Sequence, residues 1–225
     1  MEVSEENESG NGSGKKVRER LLDAGEELFC EHGFEGASVR DIASAAECNA
    51  ASVNYYFGGK QQLYEEVWRR HLIPMRDFRI ESINKVMSRT NGGADLEVLL
   101  RSFADTFVSS MVDPDRASRL SKLMAREYIN RHLPASMFVD EVIMPTLTAM
   151  RSALVKTCPD LDESKILLVV FSIIGQLVHL VHIKTMFEQG GDYLDLPVFD
   201  SKEVINHIVK FSAAGIRAYV EDKTK

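Results

Sequence analysis

Cysteine is scarce in this chain, which has 225 residues and three cysteines, Cys30, Cys48 and Cys158. They are scattered and odd in number, and no pair has the Cys-x-x-Cys spacing. A disulfide framework or a zinc knuckle would need paired or closely spaced cysteines, so the pattern argues against both. We therefore expect reduced thiols in a cytoplasmic protein, with no metal site and no cofactor.

Strand patterns and enzyme motifs are also missing. Apolar and polar residues do not alternate with period two, and the β-branched residues lie inside helical patterns. The sequence contains no Gly-x-Ser-x-Gly, no phosphate-binding loop and no His-Glu-x-x-His. These absences predict an all-α protein that is not an enzyme.

Positive charge is not in excess, since 27 Lys and Arg stand against 34 Asp and Glu for a net charge of -7. Residues 1–14 contain four acids and no base, and residues 15–79 are close to neutral. Broad, non-specific affinity for nucleic acid depends on a large positive field, which this chain lacks. Any binding of DNA must therefore come from the geometry of a local site.

One long apolar run requires a choice between a membrane span and a buried helix. Residues 166–183 carry no charge and are bracketed by Lys165 and Lys184. A helix of this length spans about 27 Å, slightly less than a bilayer core. The run contains Ser172, Gln176 and two histidines, whose polar groups would be costly against lipid. We expect a helix buried in a core or a dimer interface, and no membrane association.

Residues 1–14 are acidic and rich in Gly, Ser and Asn, without the apolar core of a signal peptide, and are predicted to be a disordered tail. Residues 15–64 form a compact N-terminal module, and residues 65–225 a larger helical body. Apolar periodicity and Gly or Pro breaks predict helices at 15–32, 39–46, 50–56, 60–89, 95–112, 115–131, 135–157, 162–189 and 201–222. Pro145 is expected to kink its helix without ending it.

Two short helices in the N-terminal module have the spacing of a helix-turn-helix. The helix at 39–46 has Ser38 as its N-cap, and the helix at 50–56 has Asn49. In this motif the second helix enters the major groove of DNA while the first crosses the backbone. The packing face predicted between the two helices consists of Ile42, Ala43, Ala46 and Val53.

The same segment resembles the DNA-binding signature of the TetR family of transcription regulators. The resemblance rests on Ser38 to Ala43, on Asn49 to Phe57, on Lys60 and Leu63, and on the preceding Ala24, Leu28, Phe29, Gly33 and Phe34. The run Asn54 to Gly58, and more weakly Met124 to Tyr128 with Pro134, is similar to a CecR-like branch of that family.

The resemblance implies a nine-helix homodimer with an N-terminal DNA-binding domain, a C-terminal ligand pocket and a four-helix dimer interface. The interface would use the helices near 162–189 and 201–222 of each subunit. The partners implied are a near-palindromic DNA operator and a small-molecule effector that releases it, and repression is the family's usual outcome. The DNA contacts carried over from the family are Ser38, Arg40, Asn49, Ala50, Ala51, Ser52, Asn54, Tyr55, Tyr56 and Lys60.

Two positions depart from the family pattern. The family usually has Gly in the turn between the two short helices, where this chain has Glu47. A residue other than Gly there must adopt or avoid a left-handed backbone conformation, at a cost of roughly 1 kcal/mol. It also brings an acid close to DNA. The family often has Tyr where this chain has Asn54.

The ligand pocket is predicted from apolar and polar residues on the later helices. Nine Met in the chain favour an adaptable pocket, because Met repacks around varied ligands. The candidate lining residues are Phe103, Phe107, Met111, Met124, Arg126, Met137, Gln176 and His179.

Two other functions remain open at this point. The acidic charge and Glu47 favour a helical ligand-binding protein that has lost DNA binding. His179 and His182 lie three residues apart on one helical face, which a metal-dependent enzyme could use, but no carboxylate or cysteine completes a ligand set nearby. Elemental analysis of the purified protein would test that last alternative.

Overall fold

The computed structural model describes residues 6–90, 93–112, 114–190 and 200–221, and the side chains of these ranges apart from 6–12, 111–112, 114–118, 182 and 184–190. Every element in these ranges is helical, as the sequence predicts. The elements are α1 (Glu6–Gly36), α2 (Val39–Ala45), α3 (Ala51–Phe57), α4 (Lys60–Arg89), α5 (Leu96–Val112), α6 (Pro114–Ile129), α7 (Ala135–Phe138), a π-helical turn (Val139–Ile143), α8 (Met144–Thr157), α9 (Glu163–Gly190) and α10 (Ser201–Glu221).

The first helix differs most from its prediction. It begins at Glu6, inside the segment predicted to be a disordered tail, whose residues 1–5 lie outside the described residues. The stop predicted at Gly33 coincides with a break in the helix, where Gly33 has φ 75° and ψ 178°. Only Gly adopts such a conformation without strain, and one further helical turn follows it.

Pro145 lies just after the π-helical turn rather than at a simple kink. In a regular helix its ring would clash with the carbonyl of Glu141, and it has no N–H to donate to that oxygen. The wider π turn, closed by the Met144 N–H bonding to the Val139 carbonyl, is a known way to relieve such a clash. The Glu141 carbonyl instead accepts a hydrogen bond of 2.7 Å from Arg76 Nη1.

The chain divides into two compact units by its contacts. The first unit comprises Met1–Leu72 and Asp115–Ala135, and the second comprises Ile73–Pro114 and Ser136–Lys225. The boundary predicted between residues 64 and 65 therefore falls inside α4, and almost all of α6 belongs to the first unit.

The first unit has a core of aliphatic and aromatic side chains from α1, α2, α3, α4 and α6. Phe29 and Tyr64 pack edge to face with ring centroids 4.9 Å apart, and Phe34 lies 5.0 Å from the Tyr64 ring. The fully buried members include Leu21, Phe29, Ile42, Val53, Leu63, Tyr64, Val67, Trp68 and Leu123. This core fixes the two short helices against the long ones.

The second unit packs α5, α8, α9 and α10 around one apolar core. Arg101 Nη2 donates to Asn206 Oδ1 at 2.6 Å, and Arg217 forms an ion pair with Glu97, so both contacts join α5 to α10. The core includes Leu99, Phe103, Phe107, Met150, Leu154, Val170, Ile173, Leu177, Ile208 and Ala213.

The helix α9 contains a stretch, Glu163–Val181, that is long and apolar enough to cross a membrane by length and composition. Core helices of soluble proteins have the same length and apolar composition, so these two properties are weak support for a membrane span. Only 28% of this stretch is buried, so the interior of the second unit covers one face and leaves another exposed. The exposed apolar side chains on that second face are Leu167, Leu168, Phe171 and Val178.

Candidate nucleic-acid interface

The first helix of the pair, α2, is capped by its preceding serine as predicted. Ser38 has an extended backbone, and its Oγ accepts a hydrogen bond of 3.1 Å from the Asp41 N–H. The same hydroxyl donates to Asp41 Oδ2 at 2.6 Å. Ser38 and Arg40 are both exposed, and Arg40 forms no ion pair within the described part of the chain.

The turn between α2 and α3 is a Schellman motif with an acid at its left-handed position. The N–H groups of Glu47 and Cys48 donate to the carbonyls of Ser44 and Ala43 at 3.0 and 2.8 Å. Glu47 has φ 53°, the one positive φ of a residue other than Gly in the described chain. The left-handed conformation considered for this position is therefore present, and the Glu47 carboxylate points toward Arg20, 3.9 Å away.

The second helix, α3, begins at a side-chain hydrogen bond from Asn49. Its Oδ1 accepts from the Ala51 N–H at 2.9 Å, which satisfies one of the free donors of the first turn. The predicted packing face is confirmed, because Ile42, Ala43, Ala46 and Val53 are all buried.

The opposite face of α3 is open to solvent. Tyr55 is 82% exposed, Ala51 and Asn54 are exposed, and Ala50 and Ser52 are partly exposed. These side chains form one continuous face with hydroxyl and amide groups above small residues. Such a face offers hydrogen bonds without blocking close approach of the backbone.

Tyr56 is half-buried beside this face. Its ring meets that of Tyr55 edge to face at 4.9 Å, and a Cβ added to Gly14 on α1 would lie 3.5 Å from its hydroxyl. Tyr56 therefore supports the position of Tyr55 as well as bordering the exposed face.

Lys60 opens α4 beside the helix pair. Its ammonium lies 4.4 Å from the centroid of the Phe34 ring, a cation–π distance. Gly58 closes α3 with φ 84°, and Gly59 follows with φ 141°, so the chain turns directly into the N-terminus of α4. A lysine and a helix N-terminus thus lie together at the end of α3, an arrangement that attracts phosphate.

A buried carboxylate that the sequence analysis missed joins three helices of this unit. Glu26 on α1 is 3% exposed and lies 3.1 Å from each of three basic groups, Arg70 and His71 on α4 and Arg119 on α6. Burial alone would raise the pKa of Glu26, but the His71 contact and the two guanidinium groups outweigh it and lower the pKa to about 2. A single acid in an amphipathic helix gives no sequence signal for such a role.

A second missed acid secures the end of α6. The Glu127 carboxylate accepts from the Tyr64 hydroxyl at 2.9 Å and from the N–H groups of His132 and Leu133 at 2.8 and 2.7 Å. Burial and the negative Glu127 raise the pKa of Tyr64 well above its ordinary value, so its hydroxyl keeps its proton.

The predicted pocket residues are divided between the two units. Met124 and Arg126 belong to the first unit, where Arg126 donates to the carbonyls of Cys30 and Glu31 at the end of α1. The long side chain of Arg126 thus supplies hydrogen bonds to carbonyls close to the end of α1, where helical partners run out.

The other predicted pocket residues lie in the second unit. Phe103, Phe107 and Met137 are buried in its interior, and the side chain of Met111 lies outside the described residues. Gln176 donates to the Ser172 carbonyl of its own helix.

His179 is exposed on α9, and the side chain of His182 lies outside the described residues. Within the described chain no three His, Cys, Asp or Glu side chains are grouped as a metal site. The described structure has a concavity of about 500 Å³ along α4, lined by Asp77, Ile80, Glu81, Asn84, Lys85, Ser88 and Arg89.

Two stretches of the chain match known protein families. Residues 21–67 match the family described as bacterial regulatory proteins, tetR family. Residues 96–216 match the family described as the C-terminal domain of the HTH-type transcriptional dual regulator CecR. The first match covers α2, α3 and the start of α4, where the cap, the turn and the exposed face lie.

Two curated relatives match the chain over different lengths. The chain is 26% identical to the HTH-type transcriptional dual regulator CecR of Shigella flexneri over 174 residues, which is 73% of this chain and 75% of that protein. It is 40% identical to the HTH-type transcriptional regulator YttP of Bacillus subtilis over 51 residues, only 23% of this chain and 25% of that protein.

A crystal structure of a transcriptional regulator from Pseudomonas aeruginosa PAO1 has the same fold. It aligns with a TM-score of 0.66 over 92% of this chain and 93% of its own, at 16% identity. Because the CecR-type domain alone matches more than half of the chain and follows a TetR-type helix-turn-helix, this protein belongs to the TetR family of bacterial transcription regulators.

Proposed function

We propose that the protein is a homodimeric repressor that binds a near-palindromic operator through α3 and releases it when a small molecule binds its C-terminal domain. The observation that carries this proposal is the outer face of α3. Ala51, Asn54 and Tyr55 are exposed there, while Val53 and Phe57 hold the helix from below. A helix exposing small and hydrogen-bonding side chains fits the major groove.

Within this proposal the polar side chains of α3 contact bases. Asn54 offers an amide to a base edge or a phosphate, and Tyr55 offers a hydroxyl to a phosphate or a ring to a thymine methyl. Asn49, Ala50, Ala51 and Ser52 lie at the start of the helix, where close approach to the groove floor is possible. Tyr56 borders the same face.

Phosphates are contacted at the two ends of the motif. Ser38 and Arg40 meet the backbone at the start of α2, and Lys60 meets it at the N-terminus of α4. Only two of these residues are basic, in a chain of net charge -7. We therefore expect a shallow salt dependence. With roughly four phosphates neutralised per dimer, the slope of log affinity against log salt concentration should be about -3.6.

The exposed apolar faces of α9 and α10 support dimerisation. Phe171 on α9 is 52% exposed and Phe211 on α10 is 65% exposed, both in the second unit. Exposed apolar side chains of this kind are typical of an obligate interface between helices. A two-fold dimer would present its two α3 helices to successive major grooves about 34–36 Å apart.

Control by a ligand follows a two-state scheme. The helix α4 is continuous from Lys60, which follows α3, to Arg89 in the second unit. In this scheme α4 is placed differently in a DNA-binding state and in a released state. A small molecule that binds one of these states more tightly than the other shifts the equilibrium between them. Such control would operate in the cytoplasm.

The test is a selection of operators from random DNA by purified protein, repeated with Tyr55→Ala and Lys60→Ala. We expect an enriched palindrome that both variants bind more weakly, with Tyr55→Ala also relaxing sequence preference and Lys60→Ala reducing the salt slope. Lys85→Ala is the matched control, because Lys85 is an exposed lysine of the same helix, paired with Glu81 away from α3.

The absence of enrichment by folded, dimeric protein would contradict the proposal. It would favour a ligand-binding protein without DNA binding, for which the acidic Glu47 in the turn is the specific observation. Reporter expression from the selected operator then tests the direction of regulation, since a repressor lowers it and an activator raises it.

A further inference from the structure

An arginine of the second unit is buried with no acid paired to it among the described side chains. Arg79 on α4 is 8% exposed, and its guanidinium carbon lies 4.0 Å from the centroid of the Phe107 ring on α5. Its Nη2 donates to Ser110 Oγ at 3.3 Å, and its Nε has no hydrogen-bond partner within the described chain.

No described carboxylate lies within ion-pair distance of this guanidinium. Burial alone lowers the pKa of Arg79 to about 10, and the group still carries its charge near neutral pH. The nearby hydroxyls are occupied with each other and with helix carbonyls, since Ser82 Oγ lies 3.1 Å from Thr106 Oγ1 and Ser110 Oγ donates to the Phe107 carbonyl at 2.9 Å.

A buried, unpaired charge is costly, and an anion that pairs with it would remove much of that cost. The Phe107 ring accepts no N–H hydrogen bond of the guanidinium in its plane, and the buried Nε has no partner within the described chain, so donors remain for a ligand. The Nε–H is free, and Nη2 has two N–H groups of which Ser110 takes one. This edge of the guanidinium matches the two oxygens of a carboxylate.

The surroundings specify the rest of the ligand. Phe107 contacts the guanidinium, and its ring lies 5.9 Å from that of Phe103 on the same helix. Ile83 follows Arg79 by four residues on α4, and all three apolar side chains are buried. One positive charge balances one negative charge, whereas a doubly charged phosphate would leave a buried charge unpaired.

We propose that Arg79 recognises the carboxylate of a small amphipathic monocarboxylic acid whose apolar body lies against Phe107 and its neighbours. The inference rests on the proposed function, because this acid would be the effector that the C-terminal domain binds. Whether or not the ligand controls DNA binding, its binding to the protein depends on its single negative charge.

The experiment measures the melting temperature and calorimetric binding of the full-length protein with benzoate, 4-phenylbutyrate and decanoate, each beside its neutral amide. The variants are Arg79→Met, Arg79→Lys and, as matched control, Arg101→Met, which removes a paired arginine of the same unit. Operator affinity is measured in parallel for each acid.

We expect at least one acid to bind saturably while its amide does not. Arg79→Met should weaken that binding by about tenfold or more without lowering the melting temperature of the ligand-free protein, because it removes an uncompensated buried charge. Arg79→Lys keeps the charge but loses the planar edge, so it should bind with intermediate affinity, and Arg101→Met should bind as the wild type does.

The proposal is overturned if no acid binds better than its amide. It is also overturned if Arg79→Met and Arg101→Met change the affinity for the acid by the same factor. A third contradictory result is a strong loss of stability in Arg79→Met together with no binding of any acid by the wild type. The charge of Arg79 would then be paired with a group of the chain itself. Acid binding that depends on Arg79 but leaves operator affinity unchanged supports this inference and contradicts the ligand control proposed above.

Discussion

Glu26 is the one acidic side chain buried in the described part of the chain. It retains its charge because His71, Arg70 and Arg119 surround it, and these three residues come from two other helices. Their attraction exceeds the cost of removing the carboxylate from water, which a lone buried acid would not withstand. One side chain thereby fastens α4 and α6 to α1.

The substitution Glu26→Gln should destabilise the protein by about 3 kcal/mol near pH 7. The pKa of Glu26 is lowered to about 2 in the folded state from its ordinary value of 4.5, so its stabilisation is fully present above pH 4.5. It is lost as the pH falls from 4.5 toward about 2. Urea unfolding of both proteins across this range should therefore show the difference in unfolding free energy shrinking in acid.

Glu81→Gln is the control for this prediction, because Glu81 is an exposed acid paired only with Lys85. Surface pairs of this kind contribute about 0–1 kcal/mol, so this variant should follow the wild type at every pH. A constant difference between Glu26→Gln and wild type from pH 7 to pH 3 would argue against a charged Glu26 in the folded state.

At the scale of elements, the turn between α2 and α3 combines good hydrogen bonding with a strained residue. The two turn hydrogen bonds to Ala43 and Ser44 are those of a glycine-type helix end, but Glu47 occupies the left-handed position. The Cβ of any L residue is crowded in that conformation. The strain lies in the connection that sets the angle between the two helices.

We expect Glu47→Gly to stabilise the protein by about 1 kcal/mol, because Gly adopts a positive φ without the steric penalty. Thermal unfolding at fixed protein concentration measures this gain. The same variant removes an acid near DNA and should also tighten operator binding.

Glu47→Ala separates the two effects. It removes the charge but keeps the Cβ, so it should tighten operator binding without a comparable gain in melting temperature. Equal stabilisation by Ala and Gly would show that the charge of Glu47, and not its backbone, limits stability.

The sequence predicts most element boundaries well, since α2 to α6 and α8 to α10 begin or end within one or two residues of their predicted limits. Caps, Gly breaks and apolar periodicity act within a few residues, so short stretches of sequence are enough to predict where these helices begin and end. The π-helical turn before Pro145 was not predicted, because its freed carbonyl is satisfied by Arg76, 65 residues earlier in the chain.

For the whole molecule, exposed apolar side chains on α9 and α10 stand out among the described residues, with Phe171 52% exposed and Phe211 65% exposed. Phe171→Asp places a charge among these side chains and should weaken dimerisation by more than about tenfold. Sedimentation equilibrium would detect the shift toward monomer, and operator affinity should fall with it, because one subunit contacts only a half-site.

Val98→Asp is the comparison, since Val98 is 51% exposed on α5 of the same unit and is outside the α9 and α10 faces. It should leave the association state unchanged. If Phe171→Asp also remains dimeric at every concentration, the subunits meet through another surface.

The amino-acid sequence by itself determined the helix-turn-helix, its packing face, the all-α fold and the family, because these depend on local patterns within a few turns of helix. It could not assign α6 to the first unit, since that depends on Glu26, Arg119, Tyr64 and Glu127 meeting across distances of 63 to 93 residues. For the same reason it could not show that Met124 and Arg126 belong to the first unit while Phe103 and Phe107 belong to the second. Burial beside Phe107, and not any motif, distinguishes Arg79 from the other arginines, so only the tertiary structure identified it.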